Sequence, residues 1–309
     1  MENHPLVTIA VCTYKRETMM EKCLRSLIAQ ETDFRYDIVV VENDAAQGAR
    51  AMIESMIPSA AEKGVEIRYY CETQPSISLS RNRCVAECRG EFLAFIDDDE
   101  WAAPDWLAKL VEVQRETGAD VVSGCAEPIY AEGYPEYLKG MLLWYRGNFR
   151  EKQEITQTAT NSVLLRKTAL ELRTPFFNPA YTRSSDTEMS FFLRSHGIKM
   201  VKTHQAMVYE TQPLSRGRMT YYWGRAFREA NVIAGLHREY YYRMNGFRVN
   251  ARLFMGSLWE MLKTLPMLVI RPRRAFFWLV FQTCRAAGIA AWYLGAKGGG
   301  GVIKREKTK

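Results

Sequence analysis

Four short apolar runs, each leading into a segment of helical period, limit the fold more than any other feature of this 309-residue chain. They are Leu6–Cys12 (LVTIAVC), Asp37–Val41 (DIVVV), Val65–Tyr70 and Phe92–Ile96 (FLAFI). Leu6–Cys12, rich in β-branched residues and without sustained polar–apolar alternation, suits a strand covered on both faces, as in a parallel sheet, and the others read as further strands. Thr18-x-x-Glu21 reads as a capping box, and Met20, Leu24, Leu27 and Ile28 then recur at helical spacing. Gly64 precedes the third strand. Ser76–Arg89 predicts a helix stopped by Gly90, and Pro104 opens another that Gly118 closes before a fifth strand at Asp120–Ser123. This order predicts an α/β fold, a mostly parallel sheet with helices on both faces joined by right-handed crossovers. Ligands of such sheets gather beyond the carboxyl ends of the strands.

Those ends read Thr13-Tyr14-Lys15-Arg16, Glu42-Asn43-Asp44 and Asp97-Asp98-Asp99-Glu100. Neither G-x-G-x-x-G nor G-x-x-x-x-G-K-[ST] occurs, which argues against a dinucleotide-binding dehydrogenase and a P-loop enzyme. Four consecutive carboxylates repel one another, so folding alone does not select them. A bound Mg²⁺ or Mn²⁺ would resolve the repulsion and bridge to a diphosphate; a solvated acidic turn is the plainer alternative. Their place at a strand end favours the metal. A second cluster, Ser184-Ser185-Asp186-Thr187-Glu188, reads locally as a helix cap, Ser185-x-x-Glu188. A general base at Asp186 is compatible with that cap.

Charge divides the chain. Residues 213–309 carry 18 Lys/Arg against 4 Glu, a net of +14, and the remainder carries 24 basic and 31 acidic groups, a net of −7. Two regions so unlike are unsuited to one task. Seven scattered Cys without a C-x-x-C pair, and only four His, argue against zinc and fit reduced thiols in a cytosolic protein. The run at Leu6–Cys12 is too short for a signal peptide, which gives the same expectation.

In this order the motifs resemble the family 2 glycosyltransferases, inverting enzymes of the Rossmann-like GT-A fold. The matching pieces are Val11–Arg16, Val40–Asp44, Ser80-Arg81-Asn82, Gly90–Glu100, Asn161–Arg166 and Ser185–Glu188. Their wording is similar to bacterial exopolysaccharide transferases of the succinoglycan type. The resemblance implies that Thr13 and Tyr14 line a nucleotide pocket, that Glu42 recognises uracil, and that Arg81 and Asn82 lie beside the nucleotide. It implies a D-x-D motif at Asp97 and Asp99 for ribose and a divalent metal, Asn161 near the sugar, and Asp186 as the base. Ser185 stands where the family usually has an acid, and Tyr209 or Glu210 where a His often lies near the metal. The Q-x-x-R-W motif of processive synthases is missing, so a single transfer from a UDP-sugar to a saccharide or lipid-linked saccharide is expected. A catalytically silent scaffold subunit is the alternative.

The expected division is a transferase domain over 1–212 and a basic, mainly helical, membrane-associating extension over 213–309. Leu253, Phe254, Leu258, Met261, Leu262 and Leu265 fall on one helical face. The run Ala275–Ala296 is long enough to span a bilayer, but Gln282 and Arg285 lie inside it. It is expected to lie in the interface instead, with 251–296 as the membrane-facing part, or to pack as an ordinary helical extension. Its apolar content argues against nucleic acid. The expected location is the cytoplasmic face of the inner membrane. Contacts selecting sugar and acceptor are expected within Glu127–Thr160.

Overall fold

The computed structural model describes residues 4–141, 149–182 and 184–296. The chain forms two compact units: residues 1–129, 143–179 and 185–211 make the first, and 130–142, 180–184 and 212–309 the second.

The first unit is built on a sheet. The apolar runs become β1 (Val7–Thr13), β2 (Tyr36–Glu42), β3 (Glu66–Cys71) and β4 (Phe92–Asp97), with β5 (Glu100–Ala102), β6 (Val121–Tyr130), β7 (Gln153–Glu154), β8 (Ser162–Arg166) and β9 (Met200–Gln212) following. Strand order is β3-β2-β1-β4-β8-β6-β9-β5, with β7 also paired to β9. The first four strands are parallel neighbours. β8 enters antiparallel between β4 and β6, so the fifth predicted strand keeps the common direction while losing contact with the fourth. Helices α1 (Glu17–Ile28), α2 (Arg50–Glu62), α3 (Ile77–Ala86) and α4 (Trp106–Thr117) fill the crossovers, and α5 (Lys167–Leu170) and α6 (Ser185–Ser195) follow. Every residue of β2 is buried, and α1 buries Met20, Cys23, Leu24, Leu27 and Ile28, the face its spacing predicts.

Two local expectations change. Thr18 lies inside α1, whose N-cap is Arg16, and no side chain caps it. Gly90 is not a helix stop, since α3 already ends at Ala86. A Cβ at Gly90 would lie 2.8 Å from backbone atoms of Leu6, Thr8 and Phe92, so glycine is required there by close chain approach. Gly118 does close α4, at φ +63°.

The second unit is helical: α7 (Met219–Tyr240), α8 (Tyr242–Thr264), the short α9 (Met267–Ile270) and α10 (Pro272–Tyr293). It buries large side chains, Tyr222, Leu236 and Phe277 among them, and also a cluster of smaller ones. Ala230, Ala234 and Ile289 are buried, with Leu253, Phe254 and Trp292 packed against them. A Cβ at Gly288 would meet the Phe227 carbonyl oxygen at 2.3 Å. Asn231 Nδ2 donates to the Gly288 carbonyl at 2.9 Å, and Asn250 Nδ2 to the Ala234 carbonyl at 2.9 Å. No helix among the described residues is long and apolar enough to cross a membrane. Within the segment 275–296, α10 buries Ala275, Phe277, Gln282, Ala286, Gly288 and Ile289 and leaves Phe276 and Tyr293 exposed.

Candidate active site

Register brings the motifs together. On the parallel strands Thr13 pairs with Glu42 and Cys12 with Asp97, so three strand ends open side by side, neighbouring strands being about 4.8 Å apart. Beyond β1, Lys15 adopts a left-handed φ of +54°, a conformation non-glycine residues hold mostly at turns and functional sites. Tyr14 stands 50% exposed with the Lys15 ammonium 5.1 Å from its ring centre.

The acidic cluster divides by role. Asp98 points inward: Thr13 Oγ1 donates to it at 2.8 Å, and Arg16 Nη1 reaches it at 2.8 Å and Asp99 at 3.0 Å. Asp97 points outward, its side chain 46% exposed. Desolvation by the surrounding atoms pushes its pKa up to about 7, Arg81 opposes, and Asp99, Asp98 and Asp186 add repulsion. Asp97 is thus closely surrounded by protein atoms while its carboxylate still reaches water. Glu100 is buried at the start of β5, directly opposite Glu210 of β9. Burial and Asp97 and Glu210 hold its carboxyl well above the usual range, and its Oε2 has no hydrogen-bond partner among the described residues. The sequence reading named both glutamates but not their pairing, because only the β5–β9 register makes them neighbours.

Arg81, on α3, connects this cluster to the other motif. Its Nη1 donates to Ser185 Oγ at 2.7 Å, and its Nη2 lies 3.9 Å from Asp97 Oδ1. Ser185 opens α6, so the residue replacing the family's usual acid receives the arginine, and Asp186 is next to it in the first turn. Helix α6 is fixed elsewhere by Arg173, which grips fully buried Glu188 with two hydrogen bonds of 2.7 and 2.8 Å. Glu188 therefore anchors the first turn of α6 to Arg173.

Three residues expected at the nucleotide or sugar have structural partners. Asn82 gives its whole amide to one peptide, Nδ2 donating to the Phe177 carbonyl at 2.8 Å and Oδ1 accepting from the Phe177 N–H at 2.7 Å. It positions Phe177, whose ring centre lies 5.7 Å from the Arg81 guanidinium. Glu42 is buried, its two oxygens accepting from the Ala49 N–H at 3.0 Å and the Tyr69 hydroxyl at 2.7 Å. Asn161 Nδ2 donates to Glu100 Oε1 at 3.0 Å. Asn43 ties the strand ends, donating to the Glu72 and Gln74 carbonyls and accepting from the Ser76 N–H. Within Glu127–Thr160, residues 142–148 lie outside the described residues.

Among the described residues, no three His, Cys, Asp or Glu side chains form a ready metal cage. Asp97 and Asp99 nevertheless suit Mg²⁺ or Mn²⁺, which commonly takes one or two carboxylates and completes its shell with water and substrate phosphates. The unpartnered oxygen of Glu100 and the crowding of like charges fit a site that gains a cation.

Residues 8–173 match the profile of Glycosyl transferase family 2. The chain belongs to this family. It is 33% identical over 250 residues to the succinoglycan biosynthesis protein ExoM of Rhizobium meliloti, covering 77% of this chain and 78% of that protein. A 130-residue stretch is 29% identical to glycosyltransferase AglE of Haloferax volcanii, 42% of either chain. Among solved structures, the Pyrobaculum calidifontis mannosyltransferase PcManGT, in complex with GDP-Man and Mn²⁺, superposes with a TM-score of 0.64 at 16% identity, over 95% of this chain and 88% of that one. Staphylococcus aureus TarS 1–349 with UDP-GlcNAc gives 0.54 at 15% identity, over 94% and 92%. These likenesses show the GT-A fold, and the family makes the protein a glycosyltransferase.

Proposed function

We propose that this glycosyltransferase moves one sugar from a UDP-hexose to a saccharide on a lipid diphosphate, with inversion at the anomeric carbon, in exopolysaccharide or other surface-glycan synthesis. The bond from Arg81 to Ser185 carries the reading, because it brings the Asp97–Asp99 strand end up to the helix that bears Asp186. ExoM, similar over most of both chains, supports an exopolysaccharide role, and TarS with UDP-GlcNAc supports a UDP-sugar donor. The basic helical unit supports an acceptor with an anionic lipid head at the cytoplasmic membrane face.

In the transfer Asp186 takes the proton from an acceptor hydroxyl, whose oxygen then attacks the anomeric carbon on the face opposite the diphosphate. The carbon–oxygen bond to the diphosphate breaks as the new glycosidic bond forms, and UDP departs with the electron pair. Thr13 and Tyr14 line the nucleotide, and Arg81 holds Asp97 and the first turn of α6 in one geometry. A divalent ion on Asp97 and Asp99 would stabilise negative charge on the leaving phosphates. Arg16 balances Asp98 and Asp99 without it.

The test incubates the protein and Mn²⁺ with radiolabelled UDP-hexoses and bacterial lipid-linked saccharides, then reads the product linkage by NMR. Expected is one added sugar of opposite anomeric configuration to the donor. Retained configuration would refute the mechanism. UDP binding without transfer from any donor would favour the silent scaffold.

A further inference from the structure

Helix α8 carries polar residues among its buried positions and large apolar ones on its exposed side. On α8 the buried positions include Asn250, Ser257 and Thr264, spaced by seven, while Met255, Trp259 and Leu262 point to solvent at i, i+4 and i+7. Trp259 is 61% exposed. Leu253 and Phe254, predicted to share a face with Leu262 and Leu265, pack inward, and Leu262 and Leu265 do not. The turn that joins α8 to α10 continues the outward ridge through α9, where Val269 is 89% and Ile270 79% exposed. A helix selected only for packing shows the opposite arrangement, and an apolar ridge of this extent marks an interaction surface.

Charge identifies what covers it. Over residues 245–276 the chain carries Arg248, Arg252, Lys263, Arg271, Arg273 and Arg274 against one acid, Glu260. Arg248, Arg252, Lys263, Arg271 and Arg273 are exposed along the same helices and turn as the ridge. Glu260 pairs locally with Lys263 at 2.5 Å. Large apolar side chains with a tryptophan among them, bordered by arginines, complement the acyl–headgroup boundary of an anionic bilayer. A second copy of this chain would oppose the same positive charge, and residues 297–309 are themselves basic.

We propose that the α8–α9 tip, residues 255–270, is the membrane-docking element, inserted into the interface of an anionic leaflet with Arg248, Arg252, Arg271 and Arg273 on the phosphates. Resting on the reading of a lipid-linked acceptor, this narrows the membrane-facing part expected over 251–296 to the ridge at 255–270. The docked unit holds the enzyme where such acceptors lie.

The full chain is tested by co-sedimentation with vesicles of phosphatidylcholine alone or mixed with phosphatidylglycerol, with UDP binding measured on the same samples. Expected is binding to the anionic vesicles at least tenfold tighter than to neutral ones, falling at least tenfold in Trp259→Glu/Ile270→Glu and severalfold in Arg248→Ala/Arg252→Ala. These positions are exposed, so circular dichroism and UDP affinity should stay at wild-type values. A double variant that binds anionic vesicles as the wild type does would overturn the proposal. So would absence of vesicle binding, including the case where the ridge pairs two copies and Trp259→Glu/Ile270→Glu converts a dimer to a monomer. Vesicle binding that passes while UDP binding fails would leave this surface standing and remove the sugar-transfer reading.

Discussion

The sheet unit and the helical unit break the rule of apolar inside, polar outside in opposite directions, and each breach marks a task. In the sheet unit the exceptions are polar groups held in: Asp98, Glu100 and Glu42 are buried at the polar ends of otherwise apolar strands. In the helical unit they are apolar groups held out, Trp259, Val269 and Ile270, beside a buried cluster that includes Ala230 and Ala234. Buried carboxylates are stable only with partners or a cation, and exposed ridges only with something to cover them. The first pattern suits chemistry on a charged ligand and the second suits anchoring.

Several substitutions sharpen the contrast. The largest effect is expected at Asp186→Asn, which should lower transfer by about 10²–10⁴-fold, the usual contribution of a general base, with UDP affinity unchanged. Turnover against titrated UDP sites is the measurement, and near-wild-type turnover would remove Asp186 from the chemistry. Next is Gly288→Val in the helical unit. The new Cβ would overlap the Phe227 carbonyl, so a loss of about 1–3 kcal/mol or more is expected in thermal melting. UDP binding at temperatures below the transition should persist if the sheet unit carries the nucleotide site alone.

Asn82→Ala should cost about 1–3 kcal/mol by leaving the Phe177 peptide without its partner. If Asn82 acts by positioning, nucleotide affinity should weaken far less in Asn82→Ala than in Arg81→Ala. The smallest effect is on pH dependence. In metal-free buffer Asp97, with its pKa raised to about 7, takes up a proton on folding. Stability therefore falls as pH climbs from about 4, the unfolded aspartate range, toward 7. Asp97→Asn should melt above the wild type at pH 8, and the gap should close toward pH 4. Parallel melting curves at every pH would contradict the shift.

The sequence made some of this legible and left the rest to long-range pairing. The strand ends could be read because each buried apolar run stops abruptly at polar residues, and register then does the alignment. The insertion of β8 between β4 and β6 could not be read, since nothing local to Ser162–Arg166 names its partners. Motif residues show their type but not their partners: Asn82 finds the Phe177 peptide, and Asn161 finds Glu100. In the helical unit, periodicity located α8 and put Leu253, Phe254, Leu262 and Leu265 on one face, but of these only Leu253 and Phe254 pack against the buried cluster. Its neighbours offer small residues such as Ala230 and Ala234, against which a helix packs closely without large apolar side chains of its own.

The most direct test is UDP titration by calorimetry, with and without Mn²⁺, on the wild type and on Asp97→Asn/Asp99→Asn. The account predicts that wild-type binding strengthens with Mn²⁺ and that the double variant loses this gain. Binding indifferent to both the ion and the two aspartates, or no UDP binding at all, would contradict a metal-assisted nucleotide site at these strand ends.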